Sequence, residues 1–82
     1  MSLGDVVAAR RFYEVAASAG VARAATAVGQ TYDPLYLRQA GVHGLRADSS
    51  KAKQWYEQGA RGGDAVAVER LNGLLNEVVE RR

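Results

Sequence analysis

The chain has no cysteine, one histidine and one proline among its 82 residues. Without cysteine there is neither a disulfide framework nor a thiolate metal site. His43 alone cannot assemble an imidazole-based site. No apolar run approaches the length of a membrane span, and no charged-then-apolar leader opens the sequence. Charge of one sign is not gathered anywhere either. Eleven basic residues against nine acidic ones leave a formal charge of +2, and the nine arginines are scattered from Arg10 to Arg82. A nucleic-acid surface concentrates its cations, because counterion release grows with the number of phosphates neutralised together. The scatter reads instead as solvated helix faces, so neither nucleic acid nor a membrane is expected as a partner of this segment. A chain this short makes one small domain with a marginal core. With no covalent staple available, association with more chain or with a second copy is the support left.

What is present is a phrase written twice. "AARRFYEVAASAGVARAATAV", from Ala8 to Val28, returns as "KAKQWYEQGARGGDAVAVERL", from Lys51 to Leu71. A gapless shift of 43 superposes residues 5–32 on 48–75 with eight identities: Asp5/Asp48, Ala9/Ala52, Tyr13/Tyr56, Glu14/Glu57, Ala17/Ala60, Gly20/Gly63, Ala22/Ala65 and Ala24/Ala67. Phe12/Trp55, Arg10/Lys53 and Val28/Leu71 are chemical equivalents. Periods of this size mark helical arrays, in which each unit buries its apolar face on the next.

Each unit reads as two helices. Asp5 is the expected N-cap of the first, Gly20 its left-handed stop, and a second helix is expected from about Val21 to Tyr32. In the second unit Asp48 or Ser49 opens a helix, Gly62 and Gly63 close it, and Asp64 caps a last helix reaching about Glu80. The apolar positions of that last helix, 67, 68, 71, 74, 75, 78 and 79, fall at helical spacing. Asp33-Pro34 reads as a cap and first-turn proline opening a short helical turn to about Gln39, ended by Gly41 and Gly44. Leu35, Tyr36, Leu37, Val42 and Leu45 are expected to pack over the helices. No segment alternates cleanly over strand length. The expected architecture is therefore all-α: one domain over 1–82, with unit one over about 4–32, a connecting segment over 33–47 and unit two over about 48–80.

"DSSKAKQWYEQGARGGDAVAVERL" and "AARRFYEVAASAGVARAATAVGQTY" resemble the Sel-1-like repeat, a helix-turn-helix family related to tetratricopeptide repeats. The family pattern of Asp, Lys-Ala, Trp-Tyr, Ala-Ala, Gly, Ala, Leu-Gly, Tyr and Gly-Val is met at Asp48, Lys51-Ala52, Trp55-Tyr56, Ala60, Gly63, Ala67 and Leu71. In the first unit it is met at Ala9, Phe12-Tyr13, Ala16-Ala17, Gly20, Ala24, Val28-Gly29 and Tyr32, with Gly41-Val42 in the last slot. The second unit departs where Asn72 stands opposite Gly29 and Leu75 opposite Tyr32. The resemblance implies a short solenoid of stacked helical pairs that serves as a scaffold for partner proteins, as in many bacterial envelope and signalling pathways. Small residues at Ala9, Ala17 and Ala24 would let helices approach, Gly29 would allow a close crossing, and the aromatics would fill the core.

The differences between units point to a contact surface. Ala8, Phe12, Val15 and Ala19 share one edge of the first helix, where the second unit has Lys51, Trp55, Gln58 and Gly62. That broader apolar arc is expected to be covered by an upstream unit, by a second copy in a homodimer, or by the connecting segment folding back. Positions 69, 70, 72, 73, 76, 77 and 80 are expected to give the last helix a polar outer face, as at the end of an array. The chain is thus expected to be the C-terminal part of a longer repeat protein that binds protein through Ala8, Phe12, Val15 and Ala19, with Arg11 and Tyr36 nearby. A self-associating structural unit is the alternative. No catalytic, cofactor or metal residues are expected: His43 lies among glycines without a nucleophile, Ser18, Ser49 and Ser50 fall at helix ends, the carboxylates stand mostly singly, and Gly62-Gly63 lacks the residues of a phosphate loop.

Overall fold

The computed structural model describes residues 3–80, with side chains for 4–76. It is all-helical among these residues: α1 (Leu3–Ser18), α2 (Ala22–Tyr32), α3 (Pro34–Gln39), α4 (Ser49–Arg61) and α5 (Ala65–Glu80). Expectations for Glu77, Val78, Val79 and Glu80 concern side chains outside this range, and Arg81 and Arg82 lie outside it altogether. The stops and starts follow local chemistry. Gly20, Gly41, Gly44 and Gly63 take positive φ, which lets the chain reverse without a Cβ clash. Asp48 caps α4, accepting at Oδ1 from the Lys51 N–H at 3.0 Å. Asp5 is a correction: it sits inside the first turn of α1, two residues past its start, and is not the residue that opens the helix. An acidic group there still complements the positive end of the helix dipole.

α2 is the centre of the packing. It lies against both α1 and α4, while α4 also packs on α5 and α3 on α2. The Cα envelope is only 16 Å in its thinnest direction. Helix axes pack 8–10 Å apart, so this thickness holds two helical layers and no third. The interior is accordingly divided into three small clusters. Val6, Leu37 and Val42 form one, with Tyr36 and Leu45 beside them. Ala17, Ala24 and Ala25 form the second, with Ala16 and Trp55. Ala52, Tyr56 and Leu74 form the third, with Tyr32 and Leu71. The connecting segment therefore packs over the start of α1 through Val6, and not along the Phe12 edge.

The crossing of α2 and α4 depends on missing side chains. A Cβ on Gly29 would stand 2.6 Å from Cδ1 and Cε1 of Tyr56, and one on Gly62 would stand 2.6 Å from the Ala22 Cβ. A Cβ on Gly59 would collide with Thr26 Oγ1 and stand 3.0 Å from the Ala67 Cβ. Small residues at 22, 26 and 29 of α2 thus sit in the groove between α4 and α5. Two carboxylates stitch this junction. Asp33 accepts from the Leu35 N–H at Oδ1 (2.9 Å) and from the Tyr56 hydroxyl at Oδ2 (2.7 Å). Asp64 accepts from the Val66 N–H at Oδ1 (3.1 Å) and from the Thr26 hydroxyl at Oδ2 (2.6 Å). Each aspartate begins a helix and grips a hydroxyl on a neighbouring one.

Candidate interaction surface

The outer edge of α1 is open. Phe12 is 70% exposed and Val15 72% exposed, with Ala8, Arg11 and Ala19 exposed beside them. The Phe12 ring meets the Tyr13 ring edge-on, with centroids 5.6 Å apart and planes at 76°. This corrects the expectation that the first aromatic pair fills the core. Tyr56 is fully buried and Trp55 half-buried, but Phe12 is largely exposed and Tyr13 about a third exposed. Ala9 is only half-buried where its counterpart Ala52 is sealed.

The reason lies in what covers each face. Trp55 packs on Ala17, Ala24 and Ala25. The Lys51 ammonium sits 5.3 Å over the Tyr32 ring, and the Gln58 amide donates to the Ala17 carbonyl at 3.4 Å. The polar residues at 51 and 58 therefore sit at the rim of a seam, reaching an aromatic face and a helix-terminal carbonyl of the first pair. Ala8 and Val15 have no such seam among the described residues.

Two concavities flank this edge and share Tyr13 and Ala27. One is lined by Phe12, Tyr13, Ala16, Val21, Arg23 and Ala27 and lies between α1 and α2. The other is lined by Val6, Ala9, Tyr13, Ala27, Tyr36 and Val42, beneath the connecting segment. Tyr36 therefore does not join Phe12 and Val15. It is half-buried, with the Arg70 guanidinium 5.2 Å over its ring. Sequence reasoning missed Tyr13, the residue that borders both hollows. Its hydroxyl has no hydrogen-bond partner among the described residues, whereas that of Tyr56 has Asp33. The 43-residue shift paired the two tyrosines, which was the available signal, but it could not say that only one of them is covered.

Electrostatics sharpen the contrast. Burial first, then the hydrogen bond to Asp33 and its negative charge, push the Tyr56 hydroxyl far above the ordinary tyrosine range. Tyr56 therefore donates to Asp33 throughout neutral and mildly alkaline conditions. Arg10 ties α1 to the end of α2: Nε donates to Thr31 Oγ1 and Nη2 to the Thr31 carbonyl, both at 2.8 Å, and the guanidinium stacks 3.8 Å over Tyr32.

Of the expected polar face of α5, Glu69, Asn72 and Asn76 are exposed, but apolar residues share the helix surface with them. Val66, Val68 and Leu75 are exposed, Arg70 is drawn in against Tyr36, and Gly73 is half-buried near Leu35. A thin two-layer slab cannot bury both sides of its last helix. Among the described residues no group of His, Cys, Asp and Glu is placed to hold a metal ion, and no helix is long and apolar enough to cross a membrane. No family model matches the chain, and no solved structure matches it.

Proposed function

We propose that this chain is a Sel-1-like array of helical pairs and acts as a protein-interaction module, with the outer edge of α1 as its contact surface. The observation that carries this reading is the pairing of Phe12 and Val15, one helical turn apart and each about seven-tenths exposed. A helix that spends an aromatic ring and a branched aliphatic on water has apolar area to gain by being covered. Arg11 beside them adds a donor of the type enriched at protein interfaces. The 43-residue phrase supports the array, because in the second pair the same register is the face applied to α2. The scaffold role is what the Sel-1-like resemblance implies for such an array.

The test places a photo-crosslinking phenylalanine analogue at position 12 of the full chain in the cells that produce it. An adduct with a different polypeptide, absent when the analogue sits at the exposed His43, is the expected result. No adduct specific to position 12 would defeat the reading. Light scattering over a concentration series is expected to give a monomer in dilute solution. A dimer persisting at nanomolar protein would replace the scaffold with a self-associating unit.

A further inference from the structure

The chain carries its own example of how this kind of face is covered. α2 lies in the groove between α4 and α5, meeting Tyr56, Gly59 and Gly62 through positions 22, 26 and 29, with Ala67 of α5 beside Gly59, and ends at Asp33 on the Tyr56 hydroxyl. Shifted by 43, those four groove residues become Tyr13, Ala16, Ala19 and Ala24. Three of them, Tyr13, Ala16 and Ala24, line the open hollow between α1 and α2, together with Phe12 in the place of Trp55. A groove of the same register is therefore present a second time, unfilled and narrowed by the methyls of Ala16 and Ala19.

We infer that this second groove takes one α-helix from another polypeptide, with small residues at i, i+4 and i+7 and an acidic residue at i+11. The inference rests on the interaction-module reading and specifies its partner. The spacing is that of 22, 26, 29 and 33. At i+7 the helix needs glycine, because a Cβ at Gly29 already collides with the tyrosine ring in the filled groove. At i and i+4 it needs residues no larger than Gly and Ala. Ala16 and Ala19 carry the methyls that Gly59 and Gly62 lack, and even a glycine there just clears Thr26 and Ala22. The acid at i+11 accepts from the Tyr13 hydroxyl, as Asp33 does from Tyr56. Arg23, at the rim of the hollow, favours the same sign of charge.

A second copy of the chain does not fit this description. Its own small-residue ladder on α2 is already under α4. On α5 the corresponding positions are Ala65, Glu69, Asn72 and Asn76, which put large side chains where the groove tolerates none. The inferred partner is therefore not a copy of this chain, and it is recognised by a small-small-glycine ladder ending in a carboxylate.

The probe is a labelled synthetic peptide of residues 21–40 carrying Ala22→Gly and Thr26→Ala, titrated with the intact chain by fluorescence anisotropy. An isolated helix of this length is barely stable in water, so weak but saturable binding is expected. Gly29→Leu in the peptide is expected to weaken it about tenfold or more, equivalent to about 1.4 kcal/mol. Phe12→Asp in the protein should do the same, and Tyr13→Phe should remove the preference for the acidic peptide over its Asp33→Asn form. Binding indifferent to Gly29→Leu, or no saturation at millimolar peptide, overturns the inference. If the crosslinker at position 12 still captures another protein that the peptide fails to displace, the surface reading stands and the helical ladder falls. A copy-to-copy dimer dissolved by Phe12→Asp also overturns it.

Discussion

Tyr13 and Tyr56 occupy the same place in two similar phrases, yet one ring is sealed and the other is about a third exposed. Tyr56 is beneath Gly29, with its hydroxyl on a carboxylate that is itself 1% exposed. Tyr13 borders two hollows, and its hydroxyl has no partner among the described residues. The side chain is the same and so is the helical register; only the neighbour differs. Burial here is a property of adjacency. The first helical pair supplies the cover for the second, and among the described residues nothing supplies it for the first.

The largest expected split between the halves comes from removing the two hydroxyls. Tyr56→Phe leaves Asp33 Oδ2 buried without its donor, at a cost of about 1.5–3 kcal/mol for a hydrogen bond to a charged group. Tyr13→Phe should fall within about 0.5 kcal/mol of the parent chain, as surface changes do. Denaturant melts of the two variants measure both. The alkaline limb gives a second readout. In the unfolded chain Tyr56 ionises near its ordinary value of about 10, but in the folded chain it keeps its proton well above that. The native state then binds more protons, so stability falls as pH rises beyond about 10, by about 1.4 kcal/mol per pH unit for this group. Tyr56→Phe should remove that share of the slope and Tyr13→Phe should leave it. Equal slopes in the two variants would mean the hydroxyls share one environment, and the contrast would fail.

A second split concerns Gly29 and its counterpart Asn72. Gly29→Ala places a methyl against the sealed Tyr56 ring, and overpacking of this kind costs about 1–3 kcal/mol. Alanine in a helix recovers up to about 1 kcal/mol relative to glycine, so a net loss of about 1–2 kcal/mol is expected. Asn72→Ala lies on an exposed helical face and should stabilise by a few tenths of a kcal/mol through propensity alone. Thermal melts should therefore move in opposite directions. A stabilised Gly29→Ala would show that α2 and α4 do not cross this closely.

Much of this was legible in the residues. Helix ends were written in the capping chemistry of Asp33, Asp48 and Asp64 and in the positive-φ glycines, because those signals are local and leave little alternative. The close crossing at Gly29 was legible as well, since a glycine inside a helical pattern needs a reason. Exposure was not. Phe12 reads like Trp55 and Tyr13 like Tyr56, for composition states what a side chain would gain from cover and says nothing about whether cover is there. Tyr36 was expected both to pack over the helices and to stand near the contact edge; it packs on the Val6 cluster under Arg70, on a different hollow from Phe12. Asp5 misled for a related reason: in the second half Asp48 caps a helix that emerges from a structured loop, whereas α1 begins two residues before Asp5.

The smallest expected effect tests the comparison most directly. Phe12 is largely in water, so Phe12→Asp should change the unfolding free energy by no more than about 0.5 kcal/mol. Trp55→Asp strips the indole from Ala17, Ala24 and Ala25 and leaves a carboxylate at the edge of that apolar cluster. Truncating a fully buried aromatic costs about 3–5 kcal/mol, and Trp55 is half-buried, so this variant should lose about 1–2 kcal/mol. The two substitutions have the same chemistry at equivalent positions of the 43-residue phrase. A near-silent Phe12→Asp beside a damaging Trp55→Asp means that the edge of α1 contributes nothing to holding this chain together, which leaves its apolar side chains for contact with something else. If Phe12→Asp instead lowers the melting temperature as far as Trp55→Asp does, the edge is already covered by the chain's own atoms, and no partner is needed to account for Phe12 and Val15.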